Sequence, residues 1–164
     1  MNRDSNPLVF LFSLLLALVL QVTALPDAVS PFRPLLLVMT LAYWAIYAPE
    51  MPALVAAWLL GLCCDVLYGA PLGQYALGLV TVAYVARRLS GTLLSFPLWQ
   101  ATLVLVPVWA LYIFLMFWID GLTHHPADPL RRWLPLISTS LLWPLAAGLL
   151  GSAGSRRSRR GILP

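Results

Sequence analysis

The sequence predicts an all-α protein that crosses a membrane about six times. Three observations predict it. The first is composition: of 164 residues, 61% are hydrophobic and 10% charged, with a mean hydropathy of +0.86. Soluble domains run at about 45–50% apolar and about 25% charged. A small globule exposes too much surface to hide that excess, so the bilayer is the natural solvent. The second is that the apolar residues fall into six runs, most of them near the roughly 20 residues that a spanning helix needs. The third is that the breaks between runs hold most of the prolines.

The first run is Leu8–Leu25, "LVFLFSLLLALVLQVTAL". "VTA" before "LPDA" resembles a signal-peptide cleavage site, but the run is long for a signal and everything after it is also membranous. We therefore expect an uncleaved first span. Three prolines in "PDAVSPFRP" (26–34) break the chain. The second span follows at about 32–48, and "PEMP" (49–52) connects it to a third at 53–68. "GAP" (69–71) separates that from a fourth at 72–89, closed by Arg87 and Arg88. A fifth span covers 98–119. The polar loop "DGLTHHPADPLRR" (120–132) precedes a sixth at 133–150. The domain expected is thus a single six-helix unit, 1–151, with a basic tail, 152–164.

Arginine placement sets the expected orientation. All ten basic residues are Arg, against six acids, for a net charge of +4. With the N-terminus inside, inner segments hold Arg3, Arg87, Arg88, Arg156, Arg157, Arg159 and Arg160, and outer segments hold Arg33, Arg131 and Arg132. The positive-inside rule and an even number of spans then agree on two cytoplasmic termini. The "RRSRR" tail reads as lipid contact and topology signal, each Arg worth about 1 kcal/mol near an anionic surface, and not as a nucleic-acid site.

Little in the chain supports catalysis. The acids at Asp4, Asp27, Glu50, Asp65, Asp120 and Asp128 form no close pair within a span. His124 and His125 lie together in the longest polar loop, but a metal site needs three or four convergent ligands, so a solvated loop is expected there. Cys63 and Cys64 are neighbours, which permits only a strained disulfide and no zinc site; they read as small helix- or lipid-facing residues. No phosphate loop or nucleophile elbow is present. The sequence predicts no enzyme, no cofactor and no metal.

Asp65 is the exception to an otherwise charge-poor interior. Residues 57–64 before it are all apolar or glycine, and Val66 and Leu67 follow. Intramembrane acids are costly and face protein, not lipid. Ala53, Ala57, Gly61, Asp65 and Gly69 recur every four residues, a small-residue face that lets another helix approach closely. Two partners suit the carboxylate. Arg33 lies 17 residues before Glu50 and Asp65 lies 15 after it, so at about 1.5 Å per residue both reach a similar depth across a helical hairpin; the sequence favours this pair. The alternative is acceptance of hydrogen bonds from the first turn of span four, beyond the Gly69–Pro71 break. A proton or ion relay is the functional rival, and it would ordinarily use several buried ionisable groups.

Several local patterns resemble the MreD family of rod shape-determining membrane proteins. They are "FRP" (Phe32-Arg33-Pro34), "YW" (Tyr43-Trp44), the cluster Gly61, Asp65, Gly69 and Gly73 in "GLCCDVLYGAPLG", and "LWP" (Leu142-Trp143-Pro144). The resemblance implies a non-enzymatic component of the bacterial cell-elongation complex. It implies partnership with MreC, and through it with the MreB actin-like filament, a SEDS glycosyltransferase and a penicillin-binding transpeptidase. It also implies a fold similar to the S-components of energy-coupling-factor transporters, which keeps a second class open: a small-molecule-binding transport subunit. Few polar groups are available to line a ligand pocket, which weighs against that class. Trp99 and Trp133 fall at span ends, at headgroup depth, whereas Trp109, Trp118 and Trp143 lie deeper and are expected to meet a partner.

Reporter fusions at Pro164 and at Thr123 should read inside and outside respectively. Intact mass of the purified protein should retain Leu8–Leu25. A periplasmic C-terminus, or loss of about two dozen N-terminal residues, would overturn the six-span topology.

Overall fold

The structure is a computed structural model that describes residues 6–23, 30–122 and 129–155. The histidine loop and the arginine tail lie outside the described residues. Those described form six α-helices and one 3-10 turn, with no strand. The helices are α1 (Pro7–Val22), α2 (Leu36–Tyr47), α3 (Ala53–Tyr68), α4 (Gln74–Ser95), α5 (Leu98–Leu122) and α6 (Pro129–Ser155), and the turn is Ser30–Phe32. Three are long and apolar enough to cross a membrane: α4, α5 and the stretch Arg132–Gly151 of α6. The other three are apolar but shorter, at 16, 12 and 16 residues.

Local chemistry explains the helix limits. Asn6 caps α1, its side chain accepting from the Leu8 N–H at 3.0 Å, and Pro7 occupies the first turn, where its missing N–H costs nothing. α2 begins only at Leu36, four residues later than the second expected span, because Pro34 disfavours a helical Arg33. α4 starts at Gln74 because Gly73 is left-handed, with φ +98°. It runs on to Ser95, beyond the expected end at Leu89, until Pro97 forces Phe96 into an extended conformation. α5 takes in Asp120, and α6 takes in Arg132, so two residues expected in a loop are helical. α6 continues to Ser155.

The bundle is built around α2. Every residue from Leu37 to Ile46 is buried, as befits a helix that is apolar on all sides. At about 18 Å it is too short to line a whole hydrocarbon core, and α1, α3, α4 and α6 all pack on it. α1 presents Phe10, Leu14 and Ala17 to it on one stripe, while Leu8, Phe12, Leu15 and Val19 point outward. Phe10 meets Trp44 edge-to-face at 5.4 Å, and the Trp44 indole N–H donates to the Ser13 hydroxyl at 2.8 Å. From α6, the buried Thr139 hydroxyl accepts from the Leu35 N–H at 3.0 Å. It thereby satisfies a backbone donor at the entrance of α2, which no side chain of its own caps.

α3 and α4 make the closest contact in the fold. A Cβ added at Gly61 would sit 2.2 Å from the Ala76 Cα and 2.5 Å from its backbone nitrogen. Neither helix can yield to that without moving as a whole. Ala53, Ala57, Gly61 and Asp65 are all buried on this face. Trp109 and Trp143, expected to meet a partner, instead pack on each other across α5 and α6, with ring centroids 5.6 Å apart and almost no exposure. Trp118 does stay on the outer surface, 58% exposed.

Gly61→Ala should therefore destabilise the purified protein by about 2 kcal/mol or more, the usual scale of core overpacking. Gly91→Ala, where nothing lies within 4 Å of the added carbon, should be neutral or slightly stabilising. Melting temperatures in detergent check the contrast; equal melting would contradict the close α3–α4 contact.

Candidate functional site

Asp65 stands one turn before the end of α3, with no exposed surface. Its two oxygens face the start of α4. The Gly73 N–H donates to Oδ2 at 2.8 Å, and the Tyr75 N–H donates to Oδ1 at 2.7 Å. These are the amides of the N-cap residue and of the second residue of α4, whose own cap is a glycine without a side chain. α3 therefore supplies the cap that α4 lacks. Charge favours the arrangement as well as hydrogen bonding, because a helix N-terminus carries about half a positive charge and this one is screened from water.

The glycines around Asp65 each have a separate geometric task. Gly61 lets α4 approach, as above. Gly69 ends α3 in the left-handed region, φ +63°, and the Ala70 N–H folds back onto the Asp65 carbonyl at 2.9 Å. Gly73, also left-handed, turns its N–H toward the carboxylate. The repeat of four in Gly61, Asp65, Gly69 and Gly73 thus encodes a close approach, a cap acceptor, a helix stop and a helix start.

Arg33 is elsewhere. Its guanidinium donates to the Leu20 carbonyl at 2.8 Å and the Thr23 carbonyl at 2.5 Å, at the C-terminal end of α1. The expected Arg33–Asp65 pair is not formed, and the alternative partner, the first turn of span four, is the one the structure selects. Equal depth along a hairpin did not decide the pairing, since each charge sits at the helix end whose dipole it complements. Pro34 stands two residues before α2 and its carbonyl accepts from the Leu36 N–H at 2.9 Å. Tyr43 and Trp44 are buried in α2 with their rings edge-to-face at 5.6 Å. Trp143 is buried and Pro144 lies within α6. Of the residues singled out from sequence, the structure brings together the Gly61–Gly73 cluster; Arg33, Tyr43, Trp44, Trp143 and Pro144 are distributed through the bundle.

A second polar link was not foreseen. The Gln74 side-chain amide donates to Asp120 Oδ1 at 2.6 Å, and Arg132 forms an ion pair with Asp120 Oδ2. α4, α5 and α6 are thereby joined at the end of the bundle that also holds Asp65. The signal available was that Gln74, Asp120 and Arg132 each lie within a few residues of the same end of three successive helices. Among the described residues, no three His, Cys, Asp or Glu side chains gather to hold a metal.

The sequence profile described as rod shape-determining protein MreD matches residues 2–152. The chain belongs to the MreD family. It is similar to the rod shape-determining protein MreD of Haemophilus influenzae, at 29% identity over 129 residues, which cover 79% of this chain and 80% of that one. No solved structure matches significantly. MreD is a structural, rod shape-determining family and not an enzyme family, and this member is a membrane protein by family and by its three spanning-length helices. In this MreD-family chain, Asp65, Gln74, Asp120 and Thr139 each join one helix to another.

Substitutions at Asp65 should rank by the hydrogen bonds they keep. Asn retains one acceptor oxygen and turns an NH2 toward the second amide, so Asp65→Asn should cost about 1–3 kcal/mol. Asp65→Ala leaves two buried amides unpaired and should cost more, about 3 kcal/mol upward. Asp65→Arg combined with Arg33→Asp should be worse than either single change, because each charge would face the wrong helix end. Thermal unfolding of the purified variants measures all three; rescue by the charge swap would contradict the capping geometry.

Proposed function

We propose that this MreD-family protein serves the bacterial cell-elongation complex as a membrane-embedded scaffold that binds MreC and thereby helps to organise peptidoglycan synthesis. The observation that carries the proposal is the family match over residues 2–152. A bundle whose internal polar groups brace its own helices supports the same reading, since it leaves the outer helix faces for partners. Of the two function classes open from sequence, family membership supports the scaffold.

In this proposal the protein lies in the inner membrane with both termini cytoplasmic, as the arginine distribution indicates. MreC in turn links it to the MreB filament, the SEDS glycosyltransferase and the penicillin-binding transpeptidase. The exposed aromatic side chains Trp58, Trp99 and Trp118 are available to lipid or to a partner helix, residues of the type that dominates interfaces.

The test is affinity purification of the full chain from membranes of its own cells after mild crosslinking, with mass spectrometry of what is recovered. MreC should co-purify at near-stoichiometric yield. Asp65→Ala should lower recovery only as far as it lowers the amount of folded protein. Absence of MreC at normal protein abundance would overturn the proposal.

A further inference from the structure

A cavity of about 360 Å³ opens at the end of the bundle where α1, α3 and α5 finish and α2, α4 and α6 begin. Every helix contributes to its wall. Interiors are normally packed to leave few voids larger than a water molecule, and this one matches the size of small-molecule sites. By the volume of water in the liquid, it has room for roughly a dozen waters.

Its polar groups are specific in kind. Tyr68, Tyr75 and Tyr112 bring three phenols to the wall. The Tyr68 hydroxyl is used, donating to the Gln21 carbonyl at 2.9 Å. The hydroxyls of Tyr75 and Tyr112 have no hydrogen-bond partner among the described residues, although Tyr112 is only 6% exposed. Gln21 also lines the cavity, and its side-chain oxygen is buried without a partner. One buried acceptor is thus left unsatisfied, and two phenol hydroxyls are open to a space otherwise walled by residues such as Leu79 and Met116. Unsatisfied buried polar groups call for an explanation. The only charged side chain on the wall among the described residues, Arg132, is neutralised by Asp120.

From this we propose that the cavity is a binding site for an uncharged, mainly apolar ring compound bearing a hydroxyl or amide. Such a group donates to Gln21 and accepts from Tyr75 or Tyr112. The apolar body lies against Leu79 and Met116, and the tilted Tyr68 and Tyr75 rings, 5.2 Å apart, offer aromatic surface. Among the described residues an anion finds no free cation there, and a bare hydrocarbon would leave the polar groups unpaired. The site is preformed, because Asp65 fixes the backbone of Tyr75 and the Tyr68–Gln21 bond ties α3 to α1.

The probe is 2-naphthol, which is uncharged at neutral pH and carries one hydroxyl on a rigid apolar body. Full-length protein in lipid nanodiscs is equilibrated with it by dialysis against empty nanodiscs of the same lipid. The expected result is saturable uptake of one molecule per chain above the empty discs. Tyr75→Phe with Tyr112→Phe, which preserves shape, should weaken binding about tenfold. Leu79→Trp should abolish it by filling the space, whereas Leu77→Trp, on the outer face, should not. Should Leu79→Trp fail to fold, the paired Phe variant still decides. Uptake equal to that of empty discs, meaning a cavity that holds water only, would overturn the proposal. So would saturable uptake insensitive to the Phe pair, or a phospholipid tail recovered stoichiometrically from the site.

Discussion

A carboxylate without exposed surface, inside an apolar bundle, needs groups around it that replace the hydrogen bonds of water. Asp65 obtains this replacement from the N-terminus of α4, through two amide donors and the helix dipole behind them. Much of the fold follows from that contact. It fixes where α4 begins, holds α3 and α4 close enough that only a glycine fits at position 61, and sets the backbone of Tyr75 on the cavity wall. Because α4 packs on α2, α3 and α5, its starting point positions half the bundle.

Arg33, Asp120 and Arg132 are placed by the same rule. Arg33 reaches the carbonyls at the end of α1, where a helix carries partial negative charge. Asp120 and Arg132 neutralise each other and recruit Gln74. An orphaned charge in a membrane is costly, while polar links between membrane helices contribute only about 0.6–2 kcal/mol each. Placing each charge against a helix end or an opposite charge avoids the large penalty and keeps the small gain. The result is a braced body without a catalytic constellation among its described residues, which suits a shape-determining membrane component.

The helical class and the order of helices were legible because composition and run length report solvent directly. Helix ends were less so. Pro34 and Pro97 act on the residue before them, so α2 starts late and α4 stops late, and a count of apolar residues does not register that effect. The importance of Gly61, Asp65, Gly69 and Gly73 could be read from their spacing, because an acid flanked by small residues in an apolar run has few explanations. Its partner could not. Arg33 and the start of α4 both met the depth criterion, and the choice depended on the left-handed turn at Gly73, which points an amide at the carboxylate. The Gln74–Asp120–Arg132 link stayed hidden because two of its members were assigned to a loop. The Trp109–Trp143 stack was missed because one-dimensional depth does not tell an inward ring from an outward one.

The central claim is that the Gly73 and Tyr75 amides are bonded to a buried Asp65 carboxylate. Amide hydrogen exchange, resolved to single residues across 70–77 in the folded protein, addresses it directly. The account predicts that these two amides exchange slowly in the native protein and become fast in a folded variant lacking the carboxylate, while amides deep in α5 are unaffected. Exchange at Gly73 and Tyr75 as fast as in an open turn, with the carboxylate intact, would contradict it.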